Sequence, residues 1–129
     1  MPTLGFAELI GLEVLRTDAE AARGRLAISD MHLNPNGVVH GGALFSLVDN
    51  LMGAAVMQHL DEGEVCATIQ ITVNFLKPVR EGSVECVASV VNRGRRIVNV
   101  RGELYSKTTL IGTADGNFAI MKPAISGSN

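Results

Sequence analysis

Apolar and polar residues alternate along this chain with periods that change at definable points, and those changes predict its elements. Leu4 to Leu12 is a short apolar segment able to make a helical turn or two before an entering strand. From Ala22 to Ile28 the chain alternates, with Ala22, Gly24, Leu26 and Ile28 on one side and Arg23, Arg25 and Ala27 on the other. That is the period of a strand with one wet face. Met31 to Gly37 closes on Asn34-Pro35-Asn36-Gly37, a run dense in turn residues. The pattern then becomes a long apolar segment without proline, Val38 to Leu60, in which GGALFSLVDNLMGAAVMQHL predicts one helix of about five turns. Apolar residues lie on nearly every side of it, so the expectation is a helix buried all round.

Beyond the helix, Val65, Ala67, Ile69, Ile71, Val73 and Phe75 alternate without a break against Glu64, Cys66, Thr68, Gln70, Thr72 and Asn74, which predicts a long strand. Three more are expected at Ser83 to Asn92, Arg95 to Lys107 and Thr109 to Met121. Gly82, Asn92-Arg93-Gly94 and Lys107-Thr108 separate them as hairpin-like breaks. The order predicts an α+β protein, a mostly antiparallel sheet of about five to six strands wrapped around one central helix. A sheet with a single helix leaves a face or an edge uncovered, so pairing with a second copy is expected.

Composition narrows the picture. At 129 residues without a Pro/Gly/Ser-rich divide, residues 1–129 read as one domain. Hydrophobic residues are 47% and charged residues 19% of the chain, which supplies a core and excludes a disordered tail. The net charge of -2 argues against nucleic acid as a partner. A membrane span is the competing reading of the helix, but His40, Ser46, Asp49, Asn50, Gln58 and His59 interrupt the run of about 20 apolar residues that a bilayer requires. The first eighteen residues show no basic start, apolar run and small-residue cleavage site, so a cytoplasmic location is expected. Cys66 and Cys86 form no CxxC, and His32, His40 and His59 show no convergent spacing, so no metal and no cofactor is expected.

Two features resist a purely structural reading. Asp49 sits in mid-helix among Leu47, Val48, Leu51 and Met52, where an unpaired carboxylate is costly to bury. It either faces a water pocket or a neighbour, or it meets a substrate. His40-Gly41-Gly42 stands at the helix start, where the first N–H groups lack intrahelical acceptors and the dipole end is positive. The two glycines, Gly41 and Gly42, either relieve crowding or let a ligand reach bare backbone; a carbonyl oxygen taken by the Gly41 N–H would be polarised toward an oxyanion. Ser46, Asp49, Asn50 and Gly53 recur at helical spacing as a polar and small stripe, a candidate contact with another subunit. Gly41 and Asp49 are eight residues apart, roughly 12 Å of helix rise, so they cannot both touch one reacting carbon within a chain. If both act, they come from different subunits, and a two-fold dimer with antiparallel helices would supply them.

The run Asn34-Pro35-Asn36-Gly37-Val38-Val39-His40-Gly41-Gly42-Ala43-Leu44-Phe45-Ser46-Leu47-Val48-Asp49 resembles the signature of the hotdog-fold acyl-CoA thioesterases of the phenylacetate-degradation type. Phe75-Leu76-Lys77-Pro78 and Gly94-Arg95-Arg96 are similar to that family too, so the likeness spans about three quarters of the chain and spares the first twenty residues. The resemblance implies the hotdog fold, an acyl-CoA substrate, a dimer joined edge to edge between sheets, and often a tetramer of two dimers. It implies that Asp49 attacks the thioester or activates a water, and that Gly41 donates its N–H to the thioester oxygen. Asn34 would help place the water or the carbonyl, His40 would fix the helix start, and Thr68 would face the nucleophile. CoA brings phosphates, for which Arg93, Arg95 and Arg96 around Gly94 form the densest cationic patch, with Lys77 and Arg80 near it in the pattern. Phe45, Met52, Met57, Phe75 and Phe118 could line an acyl pocket or merely pack the core. Two other functions fit the fold: an enoyl-CoA hydratase or dehydratase, which usually pairs its acid with a histidine deeper in the site, and an acyl-CoA-binding module without turnover.

Overall fold

The structure, a computed structural model, describes residues 5–123. A single-turn helix α1 (Phe6–Ile10) leads into β1 (Leu12–Thr17), which hairpins into β2 (Ala22–Ala27); a 3-10 turn (Asp30–His32) then precedes the central helix α2 (Gly41–Met57). Strands β3 (Val65–Phe75), β4 (Ser83–Arg93), β5 (Ile97–Ser106) and β6 (Thr109–Met121) follow. The early apolar segment thus divides at Gly11, whose φ of 76° ends α1, and Leu4 lies outside the described residues. The β5–β6 turn places Lys107 at φ 56°, the left-handed region that a tight hairpin demands.

All strand pairs are antiparallel, in the order β1-β2-β4-β5-β6-β3. Helix α2 connects β2, beside one edge, to β3, at the opposite edge, and so crosses the inner face of the sheet. Its Leu44, Leu47, Val48, Leu51, Met52, Ala55 and Val56 are buried there against Leu26, Val84, Val98, Val100 and Phe118. Each of these leucine, valine, methionine and phenylalanine side chains contributes about 1.5–3 kcal/mol. The seat is close because Gly116 lies under the helix: a Cβ on it would stand 3.0 Å from the Met52 sulfur and from Ile71.

Two expectations are corrected. The helix is not buried all round: Phe45 is 39% and Met57 50% exposed, and Gly42 is exposed on the same open side. One sheet covers only one arc of a cylinder, and the other arc carries the Ser46, Asp49, Asn50 and Gly53 stripe. Nor does β3 alternate without a break. Its pairing with β6 runs from Thr68↔Phe118 to Gln70↔Asn117, so Ile69 is an extra residue, a bulge. Beyond the bulge the core side is Ile71 and Val73; before it the helix-facing side is Cys66 and Thr68.

Candidate active site at the ends of the central helix

The helix start is built by local hydrogen bonds. The Asn34 side-chain oxygen accepts from the N–H of Asn36 at 2.9 Å and of Val38 at 3.3 Å, and Gly37 reverses the chain at φ 78°. The carbonyl of His32 accepts the His40 N–H at 2.7 Å, and Val39 donates to Val79 at 2.8 Å. His40 is the N-cap: its Nδ1 accepts the Gly42 N–H at 2.8 Å. Gly42 must stay small, because a Cβ there would stand 3.0 Å from that nitrogen. Gly41 is the first helical residue, and among the described residues its N–H meets no acceptor.

Beside Gly41 runs a groove of about 270 Å³ walled by Val38, Val39, Leu44, Phe75, Pro78 and Val79, with Lys77 at its side. The Phe75 ring packs over Gly41 closely enough that a Cβ would meet it at 3.3 Å. Two helical turns further on, Asp49 is half-buried, and Thr68 donates its hydroxyl to the Asp49 Oδ1 at 2.7 Å. The Ile69 bulge produces this contact, since unbroken alternation would turn Thr68 away from the side that Phe75 and Ile71 share. Cys66 lies on the same side, its thiol pushed up first by burial and then by the Asp49 charge. Asn50 and Ser46 spend their donors on the helix itself, to Ser46 O and Gly42 O at 2.8 Å each.

The structure therefore brings the expected site residues together as two half-sites. Gly41, Gly42, His40, Phe75 and Lys77 gather at the helix start; Asp49 and Thr68 pair along its open side. Asn34 sits in the turn before the helix with its oxygen engaged, which leaves its Nδ2 for any ligand. Arg93 is engaged within the subunit: its guanidinium donates to His59 O at 3.1 Å, Gly94 O at 3.0 Å and Glu64 Oε1 at 2.6 Å, so it ties β4 to the end of the helix. Arg95 and Arg96 are exposed in the β4–β5 turn and make no ion pair among the described residues. Lys77 and Arg80 are not near them, as Phe75 pairs with Gly112 at one end of β6 while Ile97 pairs with Ala119 at the other. Met52 and Phe118 are core residues rather than pocket walls.

His32 escaped the sequence reading. It is 4% exposed; its Nε2 donates to Ile10 O at 2.7 Å, and its Nδ1 accepts from the Ser29 N–H at 2.9 Å. Through its carbonyl it anchors His40. The only signal for it was a polar residue beside a turn, which does not distinguish an inward from an outward side chain.

Among the described residues no three His, Cys, Asp or Glu converge as metal ligands, and no helix is long and apolar enough to cross a membrane. The "conserved protein PA5202" of Pseudomonas aeruginosa is 34% identical and superposes with a TM-score of 0.89 over 92% of this chain and 95% of its own. A mutant of the phenylacetic acid degradation protein PaaI from Thermus thermophilus is 27% identical, with a TM-score of 0.82 over 88% of this chain and 96% of its own. In Bacillus subtilis, "Putative esterase ComA2" is 28% identical over 101 residues, 78% of this chain and 80% of that protein. The Thioesterase superfamily model matches residues 36–112, a span holding the Gly41 groove, the central helix and the edge strand that carries Thr68. With one long helix held in a curved six-stranded antiparallel sheet, the chain belongs to the thioesterase superfamily, thioester hydrolases of the hotdog fold.

Proposed function

We propose that this protein hydrolyses acyl-CoA thioesters at two equivalent sites, each made by Asp49 of one subunit and the Gly41 N–H of its partner. The observation that carries this reading is the separation of the half-sites. Asp49 and Thr68 are hydrogen-bonded to each other, whereas Gly41 lies roughly 12 Å away along the helix axis. An antiparallel pair of helices in a two-fold dimer would close that gap twice. The open helix face with Phe45 and Met57 supports it, as does the 11-residue edge strand β3, which exposes Val65 and Ile69.

In this mechanism the thioester oxygen takes the Gly41 N–H at the positive end of the helix. The Asp49 carboxylate, oriented by the Thr68 hydroxyl, either attacks the thioester carbon to give a mixed anhydride that one water then opens, or removes a proton from the one water that attacks; on either route the C–S bond breaks, the departing thiolate takes up a proton from that water to leave as CoA, and the acid is released. Arg95 and Arg96 stand at the end of the sheet that meets the helix C-terminus. From Asp49 to Met57, where the helix ends two residues before the His59 carbonyl that Arg93 holds, is roughly 12 Å of helix, a distance suited to the remote phosphates of CoA rather than its thioester. The protein would work in the cytoplasm, as a dimer or as a tetramer of two dimers.

Thiol release from a panel of acyl-CoA esters tests the activity. Asp49→Ala and Asp49→Asn should each lower kcat by about two or more orders of magnitude. Mixing Asp49→Ala with a Gly41→Pro variant tests the sharing. After subunits exchange at random, about half the dimers are mixed and each holds one intact site, so activity should return to about a quarter of wild type. Native mass spectrometry verifies the exchange. No recovery in exchanged mixtures places both groups in one subunit and sinks the shared site.

A further inference from the structure

We infer that the groove beside Gly41 takes the acyl tail of the substrate and that Phe75 sets its length, an inference that rests on the thioesterase reading above. Two occupants compete for this space, the acyl tail and the pantetheine arm of CoA, because both extend from the thioester. The arm carries amides and needs hydrogen-bond partners along its way. The groove offers few donors: the N–H groups of Val38, Val39 and Leu44 are donated to Asn34, Val79 and His40, those of Leu76 and Lys77 both go to Ile111 O, and Pro78 has none. What remains is apolar wall. Val39, Leu44 and Val79 are buried as its floor, and Phe75 stands 53% exposed as its outer side. An amide laid there would lose its water without recompense, whereas a hydrocarbon chain would gain. Gly41 lines the same space, so a carbonyl bound to its N–H sends one of its two substituents into the groove, and the apolar wall favours the acyl one over the amide-bearing arm.

The volume sets the class of substrate. At about 30 Å³ for each water-sized group, 270 Å³ holds roughly nine such groups. That matches a straight acyl chain of about eight or nine carbons, or an arylacetyl group of similar bulk; a longer chain runs past Phe75 and gains no further wall. Lys77 as the one charged wall residue favours no cationic substituent on that chain.

S-alkyl-CoA thioethers of two to sixteen carbons, which cannot be hydrolysed, test this by calorimetry on wild type, Phe75→Ala and Phe75→Trp. Affinity for wild type should rise roughly three- to fourfold per methylene up to about eight carbons and then level. Phe75→Ala should move the break to longer chains by two or more carbons, and Phe75→Trp to shorter ones. Because Phe75 is half exposed, these changes leave the core intact, and the tryptophan variant carries the test if the alanine one misfolds. Affinity indifferent to chain length, or one break shared by all variants, overturns the assignment. A wild type that binds the thioethers with this profile but releases no thiol from the matching esters keeps the groove and sinks the hydrolase.

Discussion

Proline at position 41 separates the two readings of the His-Gly-Gly run, because it deletes one N–H and leaves the helix able to form. Position 41 is the first helical residue, where proline is tolerated and no intrahelical bond is lost. The residue before a proline must be extended, and His40 already sits at φ -64°, ψ 135°. The His40 cap on Gly42 is untouched. On the Phe75 side the steric cost is a Cβ at 3.3 Å from a half-exposed ring, which can give by a few tenths of an ångström, while the proline Cδ takes the place of the lost N–H hydrogen. Loss of a single oxyanion donor lowers kcat by about 10²–10³, equal to about 2.7–4 kcal/mol of transition-state stabilisation. Thiol-release kinetics on a saturating acyl-CoA should show that fall in kcat with KM within about threefold, since the donor acts chiefly in the transition state. Gly41→Ala adds the same Cβ and keeps the N–H; its kcat should stay within about fivefold of wild type. Wild-type kcat in Gly41→Pro would refute the donor role. Equal losses in the two variants would show instead that Gly41 exists to make room for Phe75.

Three further outcomes follow from the geometry. Thr68→Val removes the hydroxyl that donates to Asp49 and should lower kcat about tenfold, as fits one hydrogen bond to a charged, partly solvated acceptor, while Thr68→Ser retains most activity; a fully active valine variant would return Thr68 to an ordinary strand position. Arg93→Ala should cost about 2 kcal/mol in urea unfolding, because Glu64 and the carbonyls of His59 and Gly94 lose their donor, and should leave KM for acyl-CoA within about twofold; a large rise in KM would reinstate it as a phosphate ligand. Burial pushes the Cys86 thiol up from 9.0 to about 12. The unfolded chain therefore loses this proton first as pH rises, so stability is flat below about pH 9 and falls toward pH 12 by about 1.4 kcal/mol per unit. Cys86→Ala should flatten that alkaline slope in urea melts, and an unchanged slope would assign it to other groups.

Much of the fold was written in local periods. Residues 22–28 alternate as β2 does, and the limits of β3 and β6 match their apolar runs because a pleat of period two is a property of the strand itself. The helix start was legible for the same reason: His40 and Gly42 are neighbours, and their hydrogen bond closes within two residues. Position-by-position spacing also placed Gly41 and Asp49 too far apart to meet in one chain.

What tertiary structure decided was which sides of those elements meet. Nothing within residues 65–75 announces the bulge at Ile69; it exists because β6 pairs Thr68 with Phe118 and Gln70 with Asn117, and it alone turns Thr68 onto the Asp49 side. Arg93, Arg95 and Arg96 look alike in sequence, yet Glu64 and the His59 carbonyl capture the first from 29 and 34 residues away. Among the aromatic and methionine candidates, burial assigned Met52 and Phe118 to the core and left Phe75 in the groove. Sequence fixes periodicity through bonds between near neighbours, whereas the partners of an individual side chain depend on contacts that only the closed sheet and its helix create.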